Sequence, residues 1–216
     1  MIKKIKQLRG VESGKDIYIL ANAPSIKEFD LSKLKGEVTI GMNANPLLEK
    51  EFGFISNYYV VSDQRFLKHP IKRKMATEML HPSTKRVFKS LLKDYDDKLK
   101  NDTYYVQTIG KNGFSFDLKK GYYFGATTSM LAIQLASYLG AKNIYILGMD
   151  LKYSGINPRF YNEVIPQEYD ELTSIQIHNV RGAYLQLIDR GVNLYNCSKN
   201  SLIYPYLPFF NLEKNL

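Results

Sequence analysis

Three consecutive hydroxyls, Thr127-Thr128-Ser129, follow Gly125-Ala126 and lead into the apolar run Met130 to Leu139, which Gly140 closes. A hydroxyl at a helix start caps the first N–H groups, and a glycine past the last turn suits a left-handed C-terminus. Capping needs only one of the three hydroxyls. The others stand where unpaired amides and the positive end of the helix dipole suit a phosphate or carboxylate. A second polar cluster, Asn22-Ala23-Pro24-Ser25, directly follows the β-prone run Asp16 to Leu20. Asn22 offers both a donor and an acceptor, and amides near Ser25 could meet phosphate; an Asx turn with an N-cap accounts for the same residues. Gly148 and Asp150 end the apolar run Asn143 to Leu147, where the carboxylate can accept from a sugar hydroxyl or close a turn. None of these turns has the glycines of a dinucleotide fingerprint or the lysine of a P-loop, so neither cofactor site is expected.

His178 lies between a tyrosine-rich segment and an apolar helix, where an imidazole can act as a general base or as a structural residue. His69 and His81 precede prolines inside a basic segment and read as surface residues. Asp94-Tyr95-Asp96-Asp97 has the composition of an acidic metal-binding motif, but it falls in a Lys-rich helical stretch and not at a strand end. No His/Cys cluster has zinc spacing. Neither a metal nor a bound cofactor is expected. Cys197 stands alone, which rules out an internal disulfide, and reads as a small buried apolar residue.

The elements that must hold these turns are mostly β-prone runs. Asp16 to Leu20, Glu37 to Gly41, Tyr58 to Ser62, Asn143 to Leu147 and Val192 to Asn196 read as strands, with Tyr104 to Thr108 a further one. The run from Met130 to Leu139 and that from Val180 to Asp189 read as helices. From Gln64 to about Lys100 the chain is charged and helical in pattern, and Gly110 to Gly121 is a Gly- and Lys-rich loop, so about residues 64–121 form a variable helical flank. Residues from about 151 to 177 lack periodicity and read as a loop or lid. The expectation is one α/β domain over residues 1–216 with a central, mainly parallel sheet and a ligand outside the carboxyl ends of its strands.

The net charge of +9 favours an anionic partner, whether a phosphorylated small molecule or an anionic membrane face. No zinc-finger spacing, aromatic RNA-binding motif or Arg-rich arm is present, so nucleic acid is not expected. The basic start Met1 to Arg9 is not followed by an apolar signal core, and no stretch approaches the roughly 18 apolar residues of a membrane span. A cytoplasmic protein, soluble or peripheral at the membrane, is expected. The segment Tyr204 to Phe210 could pack on a second subunit of a homo-oligomer, touch membrane, or close the core.

Taken in order, Ile17 to Asp30, Met42-Asn43, Thr127 to Gly140, Ile144 to Asp150, and Leu194 to Cys197 with Asn200-Ser201-Leu202 resemble the bacterial sialyltransferase family typified by the Campylobacter lipooligosaccharide enzymes. They also resemble the wider set that includes flagellin glycosyltransferases and pterin diphosphokinase-like proteins. The resemblance implies a Rossmann-like variant of the nucleotide-sugar transferase fold. It implies a cytidine monophosphate (CMP) sugar surrounded by Asn22, Ala23, Pro24, Ser25, Asn43, Ser62 or Asp63, Thr127, Thr128, Ser129, Gly148 and Asp150, with Asn200 and Ser201 nearby. It further implies inverting, metal-independent transfer of sialic acid or a related nonulosonic acid to a glycan acceptor. His178 would take the acceptor proton, and Tyr153 and Tyr161 would donate to the departing phosphate. The alternatives are a pterin diphosphokinase-like enzyme and a non-catalytic module for anionic ligands.

Overall fold

Apolar runs without alternation make strands that must be covered on both faces. The computed structural model describes residues 3–95, 102–153, 158–163 and 171–214, and its main sheet is built of such runs. It contains β1 (Asp16–Leu20), β2 (Val38–Met42), β3 (Tyr58–Val61), β4 (Lys85–Lys89), β5 (Thr103–Val106), β8 (Asn143–Leu147) and β9 (Asn193–Asn196). The strand order is β5-β4-β3-β2-β1-β8-β9, and every pairing is parallel. Two short strands, β6 (Thr108–Gly110) and β7 (Tyr122–Tyr123), pair apart from this sheet.

Helices α4 (Thr128–Leu139) and α5 (Thr173–Ile188) share one core cluster with Ile17, Ile19, Ile40, Val60 and Ile146 on one face of the sheet. The other face is covered by α1 (Asn45–Phe52), α2 (Gln64–Lys68), α3 (Pro70–Thr77) and short 3-10 turns. This three-layer α/β arrangement is the fold class expected from the sequence. The chain runs outward from β1 to β5 and then returns to the other side of β1 with β8, so β1 and β8 flank a topological switch point, where such sheets open a crevice.

Helix α4 explains the position of the hydroxyls. Eleven of its twelve residues are buried, Thr127 caps it through Oγ1 to the Ser129 amide, and Gly140 ends it in the left-handed region. Its contacts with β1, β2 and β3 fix its N-terminus over the carboxyl ends of those strands.

Several local readings need correction. Within the stretch read as helical, α2 and α3 are followed by strand β4, where only Val87 and Phe88 are fully buried. The charged stems of β4 lie along its neighbours: Arg86 Nε donates to Ala76 O at 3.1 Å, and Lys85 Nζ sits 5.1 Å over the Tyr58 ring. Of Asp94-Tyr95-Asp96-Asp97, the last two lie outside the described residues; Asp94 and Tyr95 follow a 3-10 turn. The chain after β1 makes a 3-10 turn, Pro24–Glu28. Helix α5 begins at Thr173, so Thr173 to Ile177 belong to it and not to a loop.

Parallel register sets Tyr18, Tyr145 and Tyr195 side by side, with ring centroids 5.0 and 5.4 Å apart. Phe210 packs on the last two, and Ile203 and Leu207 enter the core, so the C-terminal segment closes the core and leaves Tyr204 and Tyr206 exposed. Cys197 is buried, which pushes its thiol up to about 12. Among the described residues, no helix is long and apolar enough to cross a membrane.

One buried acid carries a pH prediction. Burial raises Glu49 above the ordinary carboxylate range, although Ser56 and Asn45 hydrogen-bond to it and act in the opposite sense. The native state therefore holds this proton more tightly than the unfolded chain, and its contribution is lost as pH rises through the raised value. Relative to Glu49→Gln, the wild type is expected to lose stability as pH rises above 4.5, the ordinary value of the group, read as a falling difference in urea midpoint. A difference that rises over this range would contradict the assignment.

Candidate functional site

The tips of β1, β2, β3 and β8 and the N-terminus of α4 enclose a cavity of about 340 Å³, within the range of small-ligand sites. Ala21, Asn22 and Ala23 line it from β1, Met42 and Asn43 from β2, Ser62 and Asp63 from β3, and Gly148 to Tyr153 from β8. Phe124 and Ala126 to Ser129 form the wall at α4.

The polar residues divide into those that build the cavity and those left to a ligand. Asn22 belongs to the first group: Nδ2 donates to Met42 O and Oδ1 accepts from the Ala44 amide, each at 2.9 Å, which latches the β1 tip to the end of β2. That latch spans Asn43, which is held at φ 50°, in the left-handed region that Asn tolerates. The Asn43 Oδ1 is buried among the cavity-lining residues with no hydrogen-bond partner. A buried acceptor left unmet costs about 1–3 kcal/mol, so a small shift that brought Oδ1 to a ligand hydroxyl or amine would relieve that cost.

Ser25 and Asp150 form a clamp. The Ser25 amide donates to Asp150 Oδ2 at 3.2 Å, the Ser25 hydroxyl donates to Oδ1, and Ser198 Oγ lies 2.9 Å from Ser25 Oγ. The amide expected to meet phosphate is thus occupied, and neither Pro24 nor Ser25 lines the cavity. Asp150 does line it, with both oxygens already accepting from Ser25. Gly148, at φ 68°, lets the β8 tip pass Ile26: a Cβ there would lie 2.7 Å from that side chain.

The wall at α4 is a hydroxyl array on an unusual turn. Gly125 and Ala126 are left-handed in succession, at φ 57° and 59°. Thr127 caps the helix, Thr128 Oγ1 pairs with Ser62 Oγ at 2.9 Å, and Ser129 Oγ donates to Met42 Sδ at 3.7 Å. Helix α5 braces this turn, since Gln176 Nε2 donates to Ala126 O at 3.1 Å. Gln176 Oε1 in turn accepts from Tyr153 Oη at 2.9 Å.

Both expected tyrosines line the cavity. Tyr161 Oη donates to Glu163 Oε1 at 2.9 Å, and burial together with that carboxylate holds its phenol well above the usual range, so it stays protonated with its one O–H given to Glu163. Glu163 also pairs with Lys72 at 3.0 Å, while Arg65 pairs with Asp63 at 2.8 Å and Arg159 lies 5.1 Å over the Tyr153 ring. Lys72, Arg65, Arg159 and Gln176 were not singled out from the sequence, and nothing in their local spacing marks them.

Three expected residues lie elsewhere. His178 is exposed, in the second turn of α5, because that helix starts several residues earlier than its apolar pattern suggests and turns Gln176 and Asn179 inward instead. Asn200 is exposed, and Ser201 is buried with its hydroxyl donating to Met149 O, so both lie outside the cavity lining. The histidine that does line the cavity is His69.

Removal of the Asn43 amide separates ligand contact from folding. Asn43→Gly suits the left-handed backbone and deletes Oδ1, so it is expected to keep the thermal midpoint within a few degrees while weakening about tenfold the binding of a ligand that meets Oδ1, one good hydrogen bond in a buried site. Unchanged affinity in a titration would contradict this role.

A parallel sheet between two helical layers, with a polar cavity over its switch point, defines a Rossmann-like α/β domain. Over residues 1–155 the chain matches the family described as 6-hydroxymethylpterin diphosphokinase MptE-like, and it belongs to that family. Among solved structures it is similar to the MAf glycosyltransferase from Magnetospirillum magneticum AMB-1, at TM-score 0.61 and 15% identity over 97% of this chain and 38% of that one. The chain therefore spans well under half of that protein, and the likeness is one of fold. No curated protein matches the chain.

Proposed function

We propose that the protein is a glycosyltransferase that transfers sialic acid or a related nonulosonic acid from a CMP-activated donor to a glycan acceptor of a bacterial surface polysaccharide or lipooligosaccharide. The observation that carries this reading is the pairing, in one cavity, of the unpartnered Asn43 Oδ1 with the hydroxyl-rich N-terminus of α4. An acceptor suits a ribose hydroxyl or the cytosine amine, and a helix N-terminus suits a single phosphate. In the transfer, the bond between the anomeric carbon and the phosphate oxygen breaks and its electron pair leaves with CMP. Charge grows on that phosphate, where the α4 dipole can meet it; Tyr153, whose phenol donates to Gln176, would have to release that acceptor to donate to it. Inversion follows from a single displacement. The fold of MAf agrees with this reading at the level of architecture.

The family description favours a second reading, a diphosphokinase acting on a pterin-like alcohol. That chemistry places a triphosphate on Mg²⁺ held by carboxylates. Among the described residues no three His, Cys, Asp or Glu side chains are grouped to hold a metal by themselves, so Mg²⁺ here would rest on one or two carboxylates and the triphosphate. The cavity carboxylates Asp63, Asp150 and Glu163 are engaged by Arg65, Ser25 and Lys72. These carboxylates would have to exchange or share those partners to hold Mg²⁺, which places this reading second.

A thermal-shift panel of nucleotides with and without Mg²⁺ separates the readings. The glycosyltransferase reading expects cytidine monophosphate to raise the midpoint in EDTA. A shift seen only with adenosine triphosphate and Mg²⁺ would replace it with the second.

A further inference from the structure

His69 is held in place by its backbone while its ring is left uncommitted. It ends α2 and begins α3: its amide donates to Arg65 O at 3.3 Å and its carbonyl accepts from the Arg73 amide at 2.8 Å. Pro70 follows, and the residue before a proline is confined to extended backbone, as found at φ −78° and ψ 121°. A joint fixed on both sides lets the side chain keep one position without any bond of its own. The ring lines the cavity and makes no hydrogen bond among the described residues, and its Nδ1 is buried without a partner. Nε2 is left as the nitrogen that a ligand can reach.

The other histidines do not share this placement. His81 Nδ1 lies 2.7 Å from Ser83 Oγ and accepts from the Ser83 amide, on an exposed turn. His178 is exposed on α5. The other titratable groups on the His69 side of the cavity are already paired: Arg65 with Asp63, and Lys72 with Glu163, which also accepts from Tyr161. Arg159 stacks on Tyr153. Each of these has a partner to give up before it can take a proton, and the ring of His69 has none.

We propose that His69 is the proton acceptor of the transfer step, an inference that rests on the glycosyltransferase reading. The acceptor oxygen forms its bond to the anomeric carbon, the bond to the phosphate oxygen breaks with its electron pair leaving on CMP, and the acceptor proton passes to His69 Nε2 and then to solvent. The hydroxyl end of the cavity at α4 thus holds the leaving group, and the α2–α3 joint meets the attacking one.

The test measures release of CMP from CMP-N-acetylneuraminate, with water as acceptor and again with lactose, alongside the thermal shift produced by CMP. His69→Ala is expected to keep the CMP shift and to lose turnover by about 10²-fold or more, the range of a general base, with part of the activity restored by added imidazole. A merely structural residue would show no such rescue. Turnover within threefold of wild type, or loss of the CMP shift together with turnover, overturns the assignment. So does retention of activity in His69→Ala with its loss in His178→Ala. A wild type that neither binds CMP nor releases it from the donor overturns the glycosyltransferase reading, and this role falls with it.

Discussion

Asp150→Ala is expected to lower the thermal midpoint by roughly 6–12 °C and to abolish the shift produced by CMP. The carboxylate accepts from both the amide and the hydroxyl of Ser25, and all of these groups are buried. Truncation leaves the Ser25 amide without an acceptor and the Ser25 hydroxyl with Ser198 Oγ alone in place of a carboxylate, at a cost of about 3 kcal/mol, and a chain of this size loses about 2–4 °C for each kcal/mol. The functional loss follows from position. The clamp ties the turn after β1 to the turn after β8 across the switch point, and the cavity is the gap between those turns. Ser25→Ala removes one donor and keeps the amide bond, so it is expected to lose roughly half as much stability. Urea midpoints equal to wild type for both variants would show that the clamp does not hold the site together.

Gly125→Ala is expected to be nearly as damaging, for a steric reason. The residue sits at φ 57°, which costs a side chain about 1–2 kcal/mol. Its added Cβ would lie 2.4 Å from Met130 Cγ and 3.2 Å from Asn179 Cβ. Met130 is fully buried and Asn179 Oδ1 accepts from the Gly113 amide, so neither neighbour has free space to yield. Overpacking of this kind costs about 1–3 kcal/mol, and the turn that presents Thr127 to Ser129 would relax by moving. Affinity for CMP is expected to fall at least tenfold. Ala126→Gly, one residue on at φ 59°, relieves backbone strain without adding an atom and leaves stability nearly unchanged. Equal destabilisation by both substitutions would contradict the steric account.

The strands that the sequence revealed are those whose residues are buried on both faces, since apolar runs such as Ile17 to Leu20 and Ile144 to Leu147 need no context. Strand β4 was hidden because three of its five residues are charged and only the neighbouring elements make room for their stems. Helix α5 was read short for a related reason: Leu172 supplies no side-chain cap, and the inward residues of its first turns, Gln176 and Asn179, are polar. Their burial depends on partners at Ala126, Asn112 and Gly113, more than fifty residues away in some cases and invisible to local periodicity.

The site was legible to a similar depth. Residue type and order marked Asn22, Asn43, Asp150 and the hydroxyls of α4, and the fold brings them to one cavity. Their division of labour was not legible. That Asn22 and Asp150 are consumed in holding the tips together while Asn43 Oδ1 is buried without a partner depends on hydrogen bonds between distant segments. His69 illustrates the same limit: His-Pro in a basic run suggests a surface turn, yet α2 and α3 fold that turn against the end of β3.

Crystallisation with CMP in EDTA tests the central claim most directly. The account predicts the nucleotide over the β1–β8 switch point, its phosphate within hydrogen-bonding distance of the Thr127 to Ser129 turn and one of its donors on Asn43 Oδ1. A nucleotide bound elsewhere, or a cavity left empty at saturating CMP, would contradict it.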